Sequence, residues 1–202
     1  MRVHSRILVR ILGLLILTWF ISACAANEPL DEGQPVARAG SQPPATGASI
    51  EYEIPEGWIK VQPTSSMRKA QFRLPKVEGD SEDGELAAFY FGPGQGGSVQ
   101  ANVSRWIAQF SKPDGTPASD LAEVTTRQIN GKAVTVVDVS GTYTGSSGPM
   151  MQGGPPQPDF RMVAAIIETS QGPWFYKLTG PRRTVDKWES SFDEFVSSLR
   201  AQ

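Results

Sequence analysis

The sequence predicts an α+β fold, an antiparallel β-sheet of about six to eight strands with two main helices packed on it. Three observations lead there. Short runs between Ile50 and Phe91 alternate apolar and polar residues with the period of two that a half-buried strand needs. Two later pairs of strand-like runs are joined by Asn130-Gly131 and Gln171-Gly172, the residue types that favour tight hairpin turns. Two stretches, Val99–Phe110 and Val185–Leu199, instead space their apolar residues by three and four, as one face of a helix does.

In chain order, Ser49–Ile54 alternates as a strand, and Pro55-Glu56-Gly57 turns the chain into Trp58–Val61. Ala70–Leu74 alternates again and stops at Pro75, which cannot donate to a ladder. Glu85–Phe91 is more continuously apolar, the pattern of a central strand. After the glycines of 92–97, Val99, Val103, Trp106, Ile107 and Phe110 form a helical face with Ser98 as its N-cap and Pro113 as its stop. Glu123–Ile129 and Ala133–Ser140 make the first hairpin; at Asn130-Gly131 a type I′ turn demands positive φ at both central positions. Phe160–Glu168 and Trp174–Thr179 make the second. Val185, Trp188, Phe192, Phe195, Val196 and Leu199 trace the face of a closing helix, with Thr184 placed to cap it.

Before this domain lies a different kind of sequence. Residues 1–10 carry three arginines, and Ile11–Phe20 is apolar but about half the length a permanent bilayer span requires. Ile21-Ser22-Ala23-Cys24 follows and resembles the lipobox of bacterial lipoprotein precursors, with Ile21 where the family most often has Leu. The resemblance implies a signal peptide over 1–23, cleavage before Cys24, and acylation (palmitate among the chains) of that cysteine, which would anchor the protein to a membrane of the cell envelope. Ala25 stands where an inner-membrane retention signal would place Asp, so in a cell with two membranes the resemblance favours the periplasmic face of the outer one. Residues 24–48 hold Pro29, Pro35, Pro43 and Pro44 with no aromatic residue or apolar period. Such a segment is expected to be a flexible tether reaching at most ~80 Å. The domain proper is then 49–202.

Composition narrows the chemistry. The 19 basic residues less Arg2, Arg6 and Arg10 of the signal region leave 16 against 21 acidic ones, a net charge near −5. An acidic body repels phosphate backbones, so no nucleic-acid partner is expected. The only histidine is His4 and the only cysteine is Cys24. Residues 25–202 therefore offer no imidazole or thiol, which excludes Ser-His-Asp and Cys-His hydrolases, His-ligated zinc and disulfides.

Within the domain, Pro55-Glu56-Gly57-Trp58 and the closing helix through Phe192–Leu199 resemble the PsbP-like family. The resemblance implies a PsbP-like α+β sandwich and, since most members are binding or assembly proteins, a non-enzymatic role; it transfers no functional motif.

Each candidate site has a plainer reading beside it. Gly92–Gly97 matches G-x-G-x-x-G between a strand and a helix. No parallel strand with a ribose-binding acid follows, so a Gly-rich connection is expected, with an anion site as the alternative. Asp80, Glu82, Asp83 and Glu85, with Glu78 nearby, could furnish oxygen ligands for calcium, but their spacing departs from the EF-hand loop and a solvated turn is expected. A carboxylate enzyme would need two acids converging across a cleft, for example Glu85 and Asp138. Gly145–Asp159, with Met150-Met151, is long enough to serve as a contact flap; soft copper(I) on the methionines would lack His or Cys support. Trp58, Trp106, Trp174 and Trp188 are expected in the core, and the sequon Asn102-Val103-Ser104 falls inside a helix. The expectation is a lipid-anchored, non-enzymatic binding or accessory module with an envelope protein partner and no cofactor. The alternatives are a carboxylate enzyme acting on envelope polymers and a carrier of small apolar ligands.

Overall fold

The computed structural model describes residues 49–145 and 154–201. These belong to one compact unit, Pro43–Gln202. The signal region, Cys24, the tether and Met150-Met151 lie outside the described residues.

Among the described residues the elements run β1 (Ile50–Glu51), β2 (Ile59–Val61), β3 (Arg68–Leu74), β4 (Gly84–Tyr90), α1 (Val99–Ile107), β5 (Phe110–Ser111), a 3-10 turn at Ser119–Leu121, β6 (Glu123–Ile129), β7 (Lys132–Tyr143), β8 (Gln157–Ile167), β9 (Trp174–Pro181), α2 (Arg182–Ser198) and β10 (Arg200–Ala201). The main sheet has eight strands, all antiparallel, in the order β2-β3-β4-β9-β8-β7; β6 and β5 share the outer edge of β7. β1 and β10 form a separate two-stranded pair. The α+β architecture is thus the one the sequence predicts, and β4 is interior, between β3 and β9.

The sheet has a helix on each face. Alternate residues of β3, β4 and β9, among them Phe72, Leu86 and Tyr176, pack against Val185, Phe192, Phe195 and Val196 of α2, each nearly or fully inaccessible. Burying each such side chain stabilises by roughly 1.5–3 kcal/mol. On the other face Val103 and Trp106 of α1 meet Val137, Met162, Ile166 and Phe175. The Pro55–Trp58 turn docks on α2. The ring of Trp188 occupies the space a side chain at Gly57 would need, with Trp188 Cη2 at 2.7 Å from an ideal Cβ, and Gly57 has φ +86°. Trp58 Nε1 donates to Ser191 Oγ at 3.1 Å and Trp188 Nε1 to the Pro75 carbonyl at 2.9 Å.

Four local expectations change. The first strand is two residues long, because its ladder partner β10 is itself only two residues. Phe110 leaves the helix: α1 ends at Ile107, well before Pro113, and Phe110 pairs with Tyr143 as β5, burying its ring from a strand. Thr184 is not the cap of α2. β9 runs directly into the helix, Pro181 holds the N-cap position with φ −52°, and Thr184 is fully buried in the first turn. There its Oγ1 donates to Asp80 Oδ2 at 2.6 Å and accepts from the Val77 N–H at 3.1 Å. Trp188 is only partly buried, whereas Trp58, Trp106 and Trp174 are in the core. Ser98, by contrast, caps α1 as its position implies, accepting from the Ala101 N–H at 3.2 Å.

Candidate functional site

α1 is nine residues long and covers only part of its face of the sheet. Beside it, β3, β4 and β9 present Gln71, Arg73, Glu85, Ala87, Lys177 and Thr179 on the same face, since their alternate neighbours point into the α2 core. The result is a groove of about 500 Å³, floored by strands and walled by Phe89, Tyr143 and Phe160. That size falls among small-molecule sites.

Most of its charges are paired. Arg68 Nη1 lies 2.9 Å from Glu85 Oε1, an ion pair by distance although not directed as a hydrogen bond. Gln71 Nε2 donates to Glu85 Oε2 at 2.7 Å, while Gln71 Oε1 accepts from the Thr64 N–H at 2.9 Å. Arg73 Nη1 donates to Asp83 Oδ2 at 3.0 Å. The Lys76 N–H bonded to Asp83 at 2.8 Å is the main reason the Asp83 carboxyl sits below the usual range, and Arg73 adds to it. Lys177 is the exception. Its Nζ donates to Gln109 Oε1 and, at 3.3 Å, to the Tyr143 hydroxyl, and lies 5.1 Å from the Tyr143 ring centroid. Among the described residues no carboxylate is within ion-pair distance of it. Burial pushes its amine down to about 8, against the pull of Glu85. Burial likewise raises the Tyr143 phenol.

The acidic stretch does not converge. Asp80 is held by Thr184 and Arg183, Glu82 by Gln157, Asp83 by Arg73 and Lys76, and Glu85 by Arg68 and Gln71. Glu82, Asp83 and Glu85 reach the groove; Asp80 turns toward the start of α2. Among the described residues no three His, Cys, Asp or Glu side chains are grouped to hold a metal. The pair Glu85 and Asp138 is separated by the sheet itself. Glu85 shares its face with Ala87 and Phe89, whereas Asp138 lies on the α2 face, where Arg161 binds it together with Asp186 and Glu189 of α2. These two acids cannot flank one substrate.

Gly92–Gly97 is a packed connection. The Phe175 ring lies 2.8 Å from where a side chain at Gly96 would begin, and Asn102 Nδ2 donates to the carbonyls of Gly96 and Ser98 at 2.8 and 2.9 Å. Glu168 lines the hollow beside the helix start, a charge that opposes an anion there. Lys177, Tyr143, Arg68 and Gln71 are residues that sequence reasoning passed over. One signal was available: Lys177 is the single charge in the otherwise apolar run Trp174–Leu178.

Fold and groove together define an antiparallel α+β domain with a partly uncovered sheet face. No family model and no curated protein matches the chain. Several solved structures are similar to it, two of them as follows. One is a protein of unknown function from Pseudomonas aeruginosa, 12% identical, with TM-score 0.45 over 77% of this chain and 98% of that one. The other is the cyanobacterial PsbP protein, CyanoP, from Synechocystis, 16% identical, with TM-score 0.45 over 81% of this chain and 99% of that one. Among the described residues no helix is long and apolar enough to cross a membrane.

Proposed function

We propose that the chain is a lipid-anchored binding or accessory module of the cell envelope, attached through Cys24, which engages its partner on the uncovered part of the sheet without chemistry of its own. The groove beside α1 carries this reading: it is open, lined by charges that are mostly paired and by three aromatic rings, and built on hydrogen-bonded strands. Support for the anchor comes from the basic, apolar and Ile21–Cys24 segments in immediate succession. Two or three acyl chains, at about 0.8 kcal/mol per buried CH₂, far exceed the marginal hold of one.

Metabolic fatty-acid labelling of the wild type and of Cys24→Ala tests the anchor. The label is expected to vanish in the variant, with the protein moving to the soluble fraction; label persisting in Cys24→Ala, or a wild type found wholly soluble, would overturn it. Cross-linking in cells tests the binding face. Thr179→Trp fills the groove and is expected to reduce recovery of an envelope partner several-fold, whereas unchanged recovery counts against this face.

A further inference from the structure

The Lys177 ammonium has three N–H groups, and the structure supplies acceptors for two, Gln109 Oε1 and the Tyr143 hydroxyl. It lines the groove and has no carboxylate partner among the described residues, unlike Arg68 and Arg73 on either side. Next to it the lining turns apolar, with Ala87, Phe89, Tyr143 and Phe160. A cation with an open donor beside an apolar wall matches a molecule with one negative charge and an apolar body.

We propose that the groove binds a small organic acid, its carboxylate seated on Lys177 and its apolar part laid against Phe89, Tyr143 and Phe160. The charge count favours a monoanion. Glu82, Asp83 and Glu85 border the same groove, and Arg68 and Arg73 are already paired with two of them, so the second charge of a phosphate dianion would add repulsion with no further unpaired cation of the lining to offset it. The inference rests on the reading of the groove as the binding face and adds the class of its ligand.

Binding of a carboxylate needs the protonated amine. The charged groups acting on Lys177 are Glu85 from β4, Arg68 from β3 and Arg105 from α1, with the Tyr143 phenol from β7 in contact. Glu85 favours the proton, whereas desolvation, the largest of these influences, and the two arginines all oppose it. With the amine at about 8 in the free protein, affinity for an acid falls as pH rises through that value, by about thirtyfold between pH 7 and pH 9.5. An ordinary exposed lysine would hold its affinity over that range.

The test is calorimetric titration of the full chain with 3-phenylpropionate, its neutral amide and inorganic phosphate. The acid is expected to bind at least tenfold more tightly than the amide, phosphate is expected not to compete, and affinity for the acid is expected to show the fall above pH 8. Lys177→Met should remove the acid's advantage and leave amide binding as it was. Equal affinity for acid and amide, displacement by phosphate, no acid binding at millimolar concentration or a flat pH profile would overturn the proposal. The pH profile is read on the wild type, so the outcome does not depend on the variant folding. Loss of partner capture in Thr179→Trp without acid binding would spare the binding face and sink the ligand class alone.

Discussion

At neutral pH Lys177 holds a charge in surroundings that penalise it, and the sign of the effect on stability follows from the direction of its shift. Its amine titrates at about 8 in the folded chain, below the ~10.4 of an unfolded lysine. Protonation therefore favours unfolding; the cost is fully present below pH 8 and disappears as pH rises above 10. Lys177→Met is expected to stabilise the protein by about 1–3 kcal/mol at pH 7, with the gain shrinking toward pH 10, as denaturant midpoints at the two pH values would show. A variant less stable than wild type at pH 7 would mean that the bonds to Gln109 and Tyr143 outweigh desolvation. Arg161 makes the contrast. Its side chain is only 12% exposed, yet Asp138, Asp186 and Glu189 satisfy it, and it ties α2 to the sheet. Its bonds to Glu189 hold that carboxyl below the usual range. The lysine could be picked out of the sequence as a lone charge in an apolar strand. Its partners could not, because Gln109 and Tyr143 lie 68 and 34 residues away and only the sheet brings them together.

The β6–β7 hairpin shows what is legible about an element and what is not. Asn130-Gly131 announced the turn, and both residues have positive φ, 49° and 73°. Nothing local announced that Asn130 Nδ2 also donates to the carbonyls of Ser197 and Leu199, at 3.1 and 3.0 Å, where α2 leaves its last carbonyls unpaired. Asn130→Gly keeps the turn and loses both bonds, an expected cost of about 1–2 kcal/mol. Asn130→Ala also puts at φ 49° a residue without the polar side chain that lets Asn tolerate the left-handed region, and is expected to cost about 1 kcal/mol more than Asn130→Gly. Thermal unfolding of the two variants separates the clamp from the turn; equal and small losses would show that the clamp contributes little. Phe110 and Thr184 mark the opposite case. The spacing of each fitted a helical role, and tertiary packing gave it another, one ring buried from a strand and one hydroxyl buried against Asp80.

For the molecule as a whole, periodicity and turn chemistry sufficed for the class of fold, because they act within a few residues. Strand order did not follow from them. β4 and β9 pair as neighbours although α1 and four other strands intervene between them, and so the groove, which needs β3, β4, β7, β8 and β9 together, was invisible. Both core clusters lie within residues 50–199. The segment 43–202 is accordingly expected to melt within about 2 °C of a chain that begins at Cys24, in a cooperative transition followed by circular dichroism. A fall of more than about 5 °C would mean that residues 24–42 contribute to the fold.

The small β1–β10 pair has a mechanical consequence. Any tension transmitted along the chain toward Ser49 arrives at contacts that include a two-residue ladder, the buried Ile50 side chain, a bond from the Glu53 N–H to Ser198 Oγ, and the Tyr52 ring lodged against Phe72 and Phe195. The β1–β10 ladder is separate from the eight-stranded sheet and would give way before the β3–β4, β4–β9, β8–β9 and β7–β8 ladders, which are longer and mutually supporting. Under load the domain would pay out several residues of slack while β2 to β9, and the groove they form, kept their shape.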